Sequence, residues 1–219
     1  MNIAIVGAGN IGGNLTKRLT HLGHRVTVAN SRGADTLGEL GHLTGATPRD
    51  VADVARDADV VIIAIPLKNV PNLPVGFLDG ASAHVVVVDT SNYYPQQRDG
   101  RIDAIEDGMT ESRWVATQIG FRVVKAFNGI YAAHLIDRAR ESGDPERIAL
   151  PVAGDDDSAK RVVMGLIEEL GFDAVDAGTL DESWRQQPGT PVYGATTDAQ
   201  GVRLALAAAH QVRTEEWRA

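Results

Sequence analysis

Short apolar runs rich in β-branched residues recur along the chain, each followed by a stretch whose apolar residues return every three or four positions. Residues 2–7 (NIAIVG), 25–30 (RVTVAN), 59–66 (DVVIIAIP), 84–91 (HVVVVDTS) and 121–128 (FRVVKAFN) show the first pattern. They predict strands, and their near-continuous apolarity points to strands buried on both faces, as in a parallel sheet. In residues 10–23, Ile11, Leu15, Leu19 and Leu22 fall on one helical face and Gly23 ends the run. Residues 34–45 (closed by Gly45), 49–58 (Val51, Val54 and Ala55 inward) and 109–120 predict three more helices. Pro71 and Pro74 break any long helix in 67–82.

After residue 146 the pattern restarts. A strand is predicted at 147–154, a helix at 155–171 with Asp residues in its first turn, a strand at 172–178 and a final helix at 197–217. This order predicts an α/β protein: a doubly wound parallel sheet over residues 1–146, and a small C-terminal α/β extension over 147–219. The extension is too short for a second full domain. It is expected to pack on the sheet edge and line one wall of a cleft.

Composition narrows the chemistry. The 219 residues carry a formal net charge of -8 and no cysteine. Thiolate nucleophiles, thiolate metal sites and disulfides are excluded, and a reducing cytoplasm fits. No basic run indicates nucleic acid. The longest apolar runs, VVIIAI and VVVV, are too short to cross a bilayer. The six histidines show no metal-ligand spacing, so no metal is expected. The acidic run at 154–158 reads as a helix cap rather than a calcium loop.

Gly7-Ala8-Gly9-Asn10-Ile11-Gly12 is a G-x-G-x-x-G that directly follows a strand and opens a helix. In that context Gly7 permits the turn, Gly9 lets backbone approach a pyrophosphate, and Gly12 lets helix and sheet pack closely. The first-turn amides then face phosphate. At the end of the second strand, where an acid usually holds the ribose of NAD, stand Asn30, Ser31 and Arg32. Asn30 removes the charge that would repel a 2′-phosphate. Ser31 and Arg32 supply donors for it. The site reads as a Rossmann cleft for NADP(H).

With these motifs the chain resembles the F420-dependent NADP reductases and their bacterial relatives, which share a fold with the reductase domain of STEAP metalloreductases. The likeness runs through GAGNIG (7–12) with NSRG (30–33), IPLKNV (65–70), VVKAFNGIYAAHL (123–135) and residues 150–180. It implies that Ser31 and Arg32 hold the 2′-phosphate and that Ala64, Ile65 and Pro66 pass beside the cofactor. It also implies that the segment with Asn128 and Ile130 lies by the nicotinamide, near a second substrate, and that the protein is a homodimer. Where the archaeal pattern has His and Pro, this chain has Asn128 and Tyr131.

Two polar-aromatic loops, SNYYPQQR (91–98) and SWRQQPGTPVYG (183–194), are candidates for that second site, with Tyr93, Trp184 and Tyr193 as residues facing it. Rings beside amides suit a planar acceptor such as F420, FMN or FAD. Hydride transfer needs alignment and water exclusion more than an acid or base. Two other readings stay open. Reduction of a small carbonyl or imine would draw its proton from Tyr93, Tyr131 or Tyr193. A non-catalytic NADP(H)-binding sensor would need no second substrate.

Overall fold

Six strands lie side by side and all run parallel in the computed structural model, which describes residues 1–219. In chain order the regular elements are β1 (Asn2–Val6), α1 (Asn10–His21), β2 (Arg25–Ala29), α2 (Gly38–Thr44), β3 (Thr47–Pro48), β4 (Val60–Ile63), β5 (Val86–Asp89), α3 (Asp103–Glu106), α4 (Glu111–Ile119), β6 (Val124–Lys125), α5 (His134–Asp137), β7 (Ala149–Val152), α6 (Asp157–Glu169), β8 (Asp173–Asp176) and α7 (Ala199–Ala207). The sheet order is β3-β2-β1-β4-β5-β6, with Ile3 opposite both Val26 and Val60. The order reverses between β1 and β4, which opens a crevice at the carboxyl ends of those strands.

The period of two along each strand divides the core between the sheet's faces. Ile3, Ile5, Val60, Ile62 and Val88 point to one face, where Leu15 and Leu19 of α1 and Val163, Leu166 and Ile167 of α6 cover them. Ala4, Val6, Val61, Ile63 and Val87 point to the other, covered by Trp114 and Val115 of α4 and by Val54, Leu67 and Val70. The expected doubly wound parallel sheet is therefore present. Strands β7 and β8 form a separate parallel pair, joined to β6 by an antiparallel bridge between Lys125 and Ala153.

Several predicted elements are shorter. The helix expected at 49–58 is a single 3-10 turn, Val51–Asp53. Its Val54 and Ala55 are buried as expected. However, Asp57 takes a left-handed φ of 62° and turns the chain directly into β4. The run 34–45 splits into a 3-10 turn, Ala34–Leu37, and α2, which Gly45 closes with φ 80°. The expected strand 121–128 keeps only two residues, because Lys125 then pairs across to Ala153. The final helix stops at Ala207 rather than continuing to 217. Leu206 and Ala209 end its buried stripe, and the polar residues beyond leave nothing to anchor further turns. The chain folds back instead, so that a 3-10 turn sets Trp217 6.0 Å from Tyr94 and 6.3 Å from Tyr193. The acidic run does cap a helix: Asp156 Oδ1 accepts from the amides of Ser158 and Ala159 at the start of α6.

Candidate functional site: an open cleft and a filled wall

A cleft of about 790 Å³ lies where the strand order reverses. Gly7 and Gly9, the Asn30–Gly33 turn and Ala64, Ile65 and Pro66 share its lining. Its volume falls within the ~300–1,000 Å³ of ligand sites. Another hollow, of about 330 Å³, lies at the opposite ends of the strands among Asn2, Arg25 and Thr47. It is away from the carboxyl ends where open α/β sheets bind ligands.

The glycine turn is tight and leaves little room for side chains at two of its three glycines. Gly7 adopts φ 110°, and a Cβ there would lie 2.3 Å from the Ala64 carbonyl oxygen. At Gly12 a Cβ would lie 1.8 Å from the Gly7 carbonyl oxygen. At Gly9 it would meet nothing within 4 Å, so the missing side chain leaves open space over the turn. Asn10 starts α1 with neither a side-chain cap nor an acid in the first turn, which leaves the positive helix end available to an anion. Asn10, Ile11 and Gly12 form this helix end behind the cleft lining. Ile11 leans on the core and Gly12 is buried.

At the ribose end each predicted residue has a distinct place. Asn30 shapes the turn: its Oδ1 accepts from the Arg32 amide at 2.8 Å, and its Nδ2 donates to Thr36 Oγ1 at 2.9 Å. Ser31 and Arg32 project from that turn, both exposed. The one acid of the lining, Asp50, accepts from the Ala34 amide at 3.1 Å and braces the loop from below. Sequence reading did not single out Asp50, Asn69 or Asn72. The two asparagines lie on the proline-broken stretch after β4, and that position beyond a strand's carboxyl end was the available signal.

The acceptor-side set does not assemble as expected. Tyr93 is fully buried; its hydroxyl accepts from the Ile102 amide at 3.0 Å and donates to Glu106 at 3.1 Å. Burial pushes that phenol up to about 12. It is a core residue, and its neighbour Tyr94 is the one turned outward. Trp184 stacks on the Arg185 guanidinium 4.5 Å away and borders a small hollow with Met109 and Arg213, apart from the cleft. Asn128 is buried with its amide spent, its Nδ2 on Asn92 and the Gln186 carbonyl and its Oδ1 on Gln186 Nε2. It braces Asn92 rather than presenting a free amide. Ile130 is buried, while Tyr131 is 60% exposed. Tyr193 does face a partner ring, its hydroxyl bonded to that of Tyr94. Burial, then the Tyr94 bond, raises the Tyr193 phenol well above the ordinary tyrosine range.

Beneath this wall lies a buried ion cluster. Lys125 Nζ donates to the Ser91 carbonyl at 2.6 Å and sits 3.4 Å from Glu111 and 3.6 Å from Asp89, all three fully buried. Ser91 and Ser112 hydroxyls donate to Asp89 at 2.6 Å each. Arg213 reaches Glu111 at 2.7 Å from the C-terminal segment. The sequence signal was a charge inside each of two buried-strand patterns, VVKAF and VVVVDTS.

Residues 2–93 match the family described as NADP oxidoreductase, coenzyme F420-dependent. The hypothetical protein SMa0349 of Sinorhizobium meliloti is 32% identical, with a TM-score of 0.75 over 89% of this chain and 94% of that one. The chain belongs to the coenzyme F420-dependent NADP oxidoreductase family. That membership places it among NAD(P)-dependent oxidoreductases. This oxidoreductase shares its fold with a protein of Arthrobacter sp. FB24 proposed to be an F420-dependent NADP reductase, at 24% identity and a TM-score of 0.67 over 82% of this chain and 85% of that one. Over 60 residues it is 48% identical to protein YjhV of Escherichia coli K12, a match spanning 27% of this chain and 44% of that protein. No helix of the family member is long and apolar enough to cross a membrane.

Proposed function

We propose that this protein transfers a hydride between NADP(H) and a planar redox acceptor, F420 or a flavin such as FMN or FAD. The observation that carries it is the pairing, in one cleft, of the open glycine turn with an acid-free Asn30–Ser31–Arg32 turn. Gly7, Gly9 and the start of α1 would hold the pyrophosphate, and Ser31 and Arg32 the 2′-phosphate. Ala64, Ile65 and Pro66 would lie along the cofactor. When bound, NADPH supplies the hydride. The residues present orient the cofactor and exclude water; no acid or base is required of them.

The acceptor would lie beyond β5 and β6, where Tyr94 and Tyr193 meet. Residues 147–219 act here as an extension that supplies the far wall. A second reading, reduction of a small carbonyl or imine, rests on the same pair, since Tyr94 and Tyr193 bring two phenol hydroxyls together at that wall. We further infer a cytoplasmic homodimer joined through the outward Leu204 and Ala207 of α7 and Ala208 just after it.

The test is NADPH oxidation followed spectroscopically with F420, FMN, FAD and a panel of imines and ketones. F420 or flavin reduction with NADPH preferred over NADH is the expected result. Activity confined to imines or ketones would replace the first reading by the second. Tight NADPH binding without turnover on any of them would make the protein a sensor and end both.

A further inference from the structure

Arg213 is one of the residues that tie the C-terminal segment after α7 to the body of the protein. Arg213 is 86% buried by its side chain, which is only 14% exposed. Its Nη2 donates to Glu111 at 2.7 Å and to Gln187 Oε1 at 2.9 Å, and its Nη1 to the Trp217 carbonyl at 3.3 Å. Its guanidinium lies 5.2 Å from the centre of the Tyr93 ring. Four segments therefore converge on one side chain.

The charges explain why that residue must be a cation. Asp89 and Glu111 bring two buried carboxylates, and Lys125 brings one ammonium. Without Arg213 a buried negative charge would stand uncompensated, a costly state. Docking of the tail sets Arg213 and Lys125 against Asp89 and Glu111, and brings Arg218 within 3.7 Å of a third buried carboxylate, Glu106. The same tail reaches the acceptor-side wall. Gln96 donates to the carbonyls of Glu215 and Arg218 at 3.0 Å each, and Trp217 packs against Tyr94 and Tyr193.

We propose that Arg213 is a positioning residue for the acceptor side of the reaction: by completing the buried charge set it holds residues 210–219 down, and through Trp217 and Gln96 it sets the Tyr94–Tyr193 wall. The clause about the acceptor rests on the function proposed above; the coupling of tail to wall does not.

Amide hydrogen exchange on the full chain tests the coupling. In Arg213→Met, protection at 214–219 and at 92–99 is expected to fall together by about a hundredfold. The double variant Arg213→Met with Glu111→Gln is expected to regain protection, because it restores the charge balance without restoring the side chain. Arg213→Lys is expected to keep most of it. Residues 92–99 staying protected while the tail loosens would overturn the coupling, as would a double variant no better than the single one. For the acceptor, Arg213→Met should raise the KM for F420 or FMN with the NADPH Kd unchanged; an unchanged KM would overturn the positioning role. A wild-type protein that binds no NADPH would instead overturn the proposed function, and the exchange result would still decide on Arg213.

Discussion

Around Gly7, Gly9 and Arg32 the chain leaves polar groups free, whereas around Asn128, Asp89 and Lys125 nearly every one is spent on a neighbour. The Arg32 turn is exposed, and the helix behind the glycine turn has no cap. Asn128 gives up both ends of its amide, and Lys125 lies between two carboxylates. The first region suits the negatively charged cofactor proposed for it. The second is arranged to keep a surface rigid while presenting little of its own polarity. The two should therefore fail differently when altered, one in affinity and the other in stability.

The largest effect is expected at Lys125. Lys125→Met leaves the buried Asp89 without a cation and Glu111 with Arg213 alone, and should cost about 3–5 kcal/mol of stability, read by denaturant unfolding. A cost near zero would mean that the cluster is not charge-coupled. Next is Gly9→Ala. Its Cβ meets no protein atom within 4 Å, so the melting temperature should hold. NADPH binding, measured by calorimetry, should weaken about 10- to 100-fold as contacts to the pyrophosphate are lost. An intact affinity would remove the pyrophosphate from the glycine turn. Arg32→Ala should weaken NADPH about tenfold or more while leaving NADH nearly unchanged; equal losses for both would refute the 2′-phosphate assignment.

The smallest expected effect is at Asp155, just before α6. The Arg113 hydrogen bond holds the Asp155 carboxyl below its ordinary 3.8. Because the folded value lies below the unfolded one, this contribution is full above about pH 4 and fades as the pH drops further. Asp155→Asn should flatten that acid limb in a pH series of unfolding midpoints. Half-exposure of the Asp155 side chain keeps the effect small.

The strands were legible in the sequence because burial on both faces leaves nothing but apolar β-branched residues in β1, β4 and β5. The cleft was legible because its turns demand glycine and because the missing acid at Asn30 is a local feature. The acceptor side was less so. A period of two separates Tyr93 from Tyr94, and the sequence does not state which parity faces inward; the structure buries Tyr93 and turns Tyr94 outward. The helix expected at 49–58 had the right inward residues but lacked any mark of the left-handed turn at Asp57. The reversal after Ala207 depends on Trp217 meeting rings more than a hundred positions away in the case of Tyr94, and no window along the chain contains both.

The two edges of the sheet carry a further consequence. One ends in β3, two residues long with Pro48 at its margin, and the other in β6, whose outer groups pair with Ala153. Neither border offers a row of unpaired amides to another chain, so the sheet is guarded against edge-to-edge aggregation. With those two borders closed, helix surfaces such as α7 become a route for self-association in which the contact is made by side chains and can be set by single substitutions. A Leu204→Glu variant that elutes as a monomer while retaining its melting temperature would be the signature of such a contact.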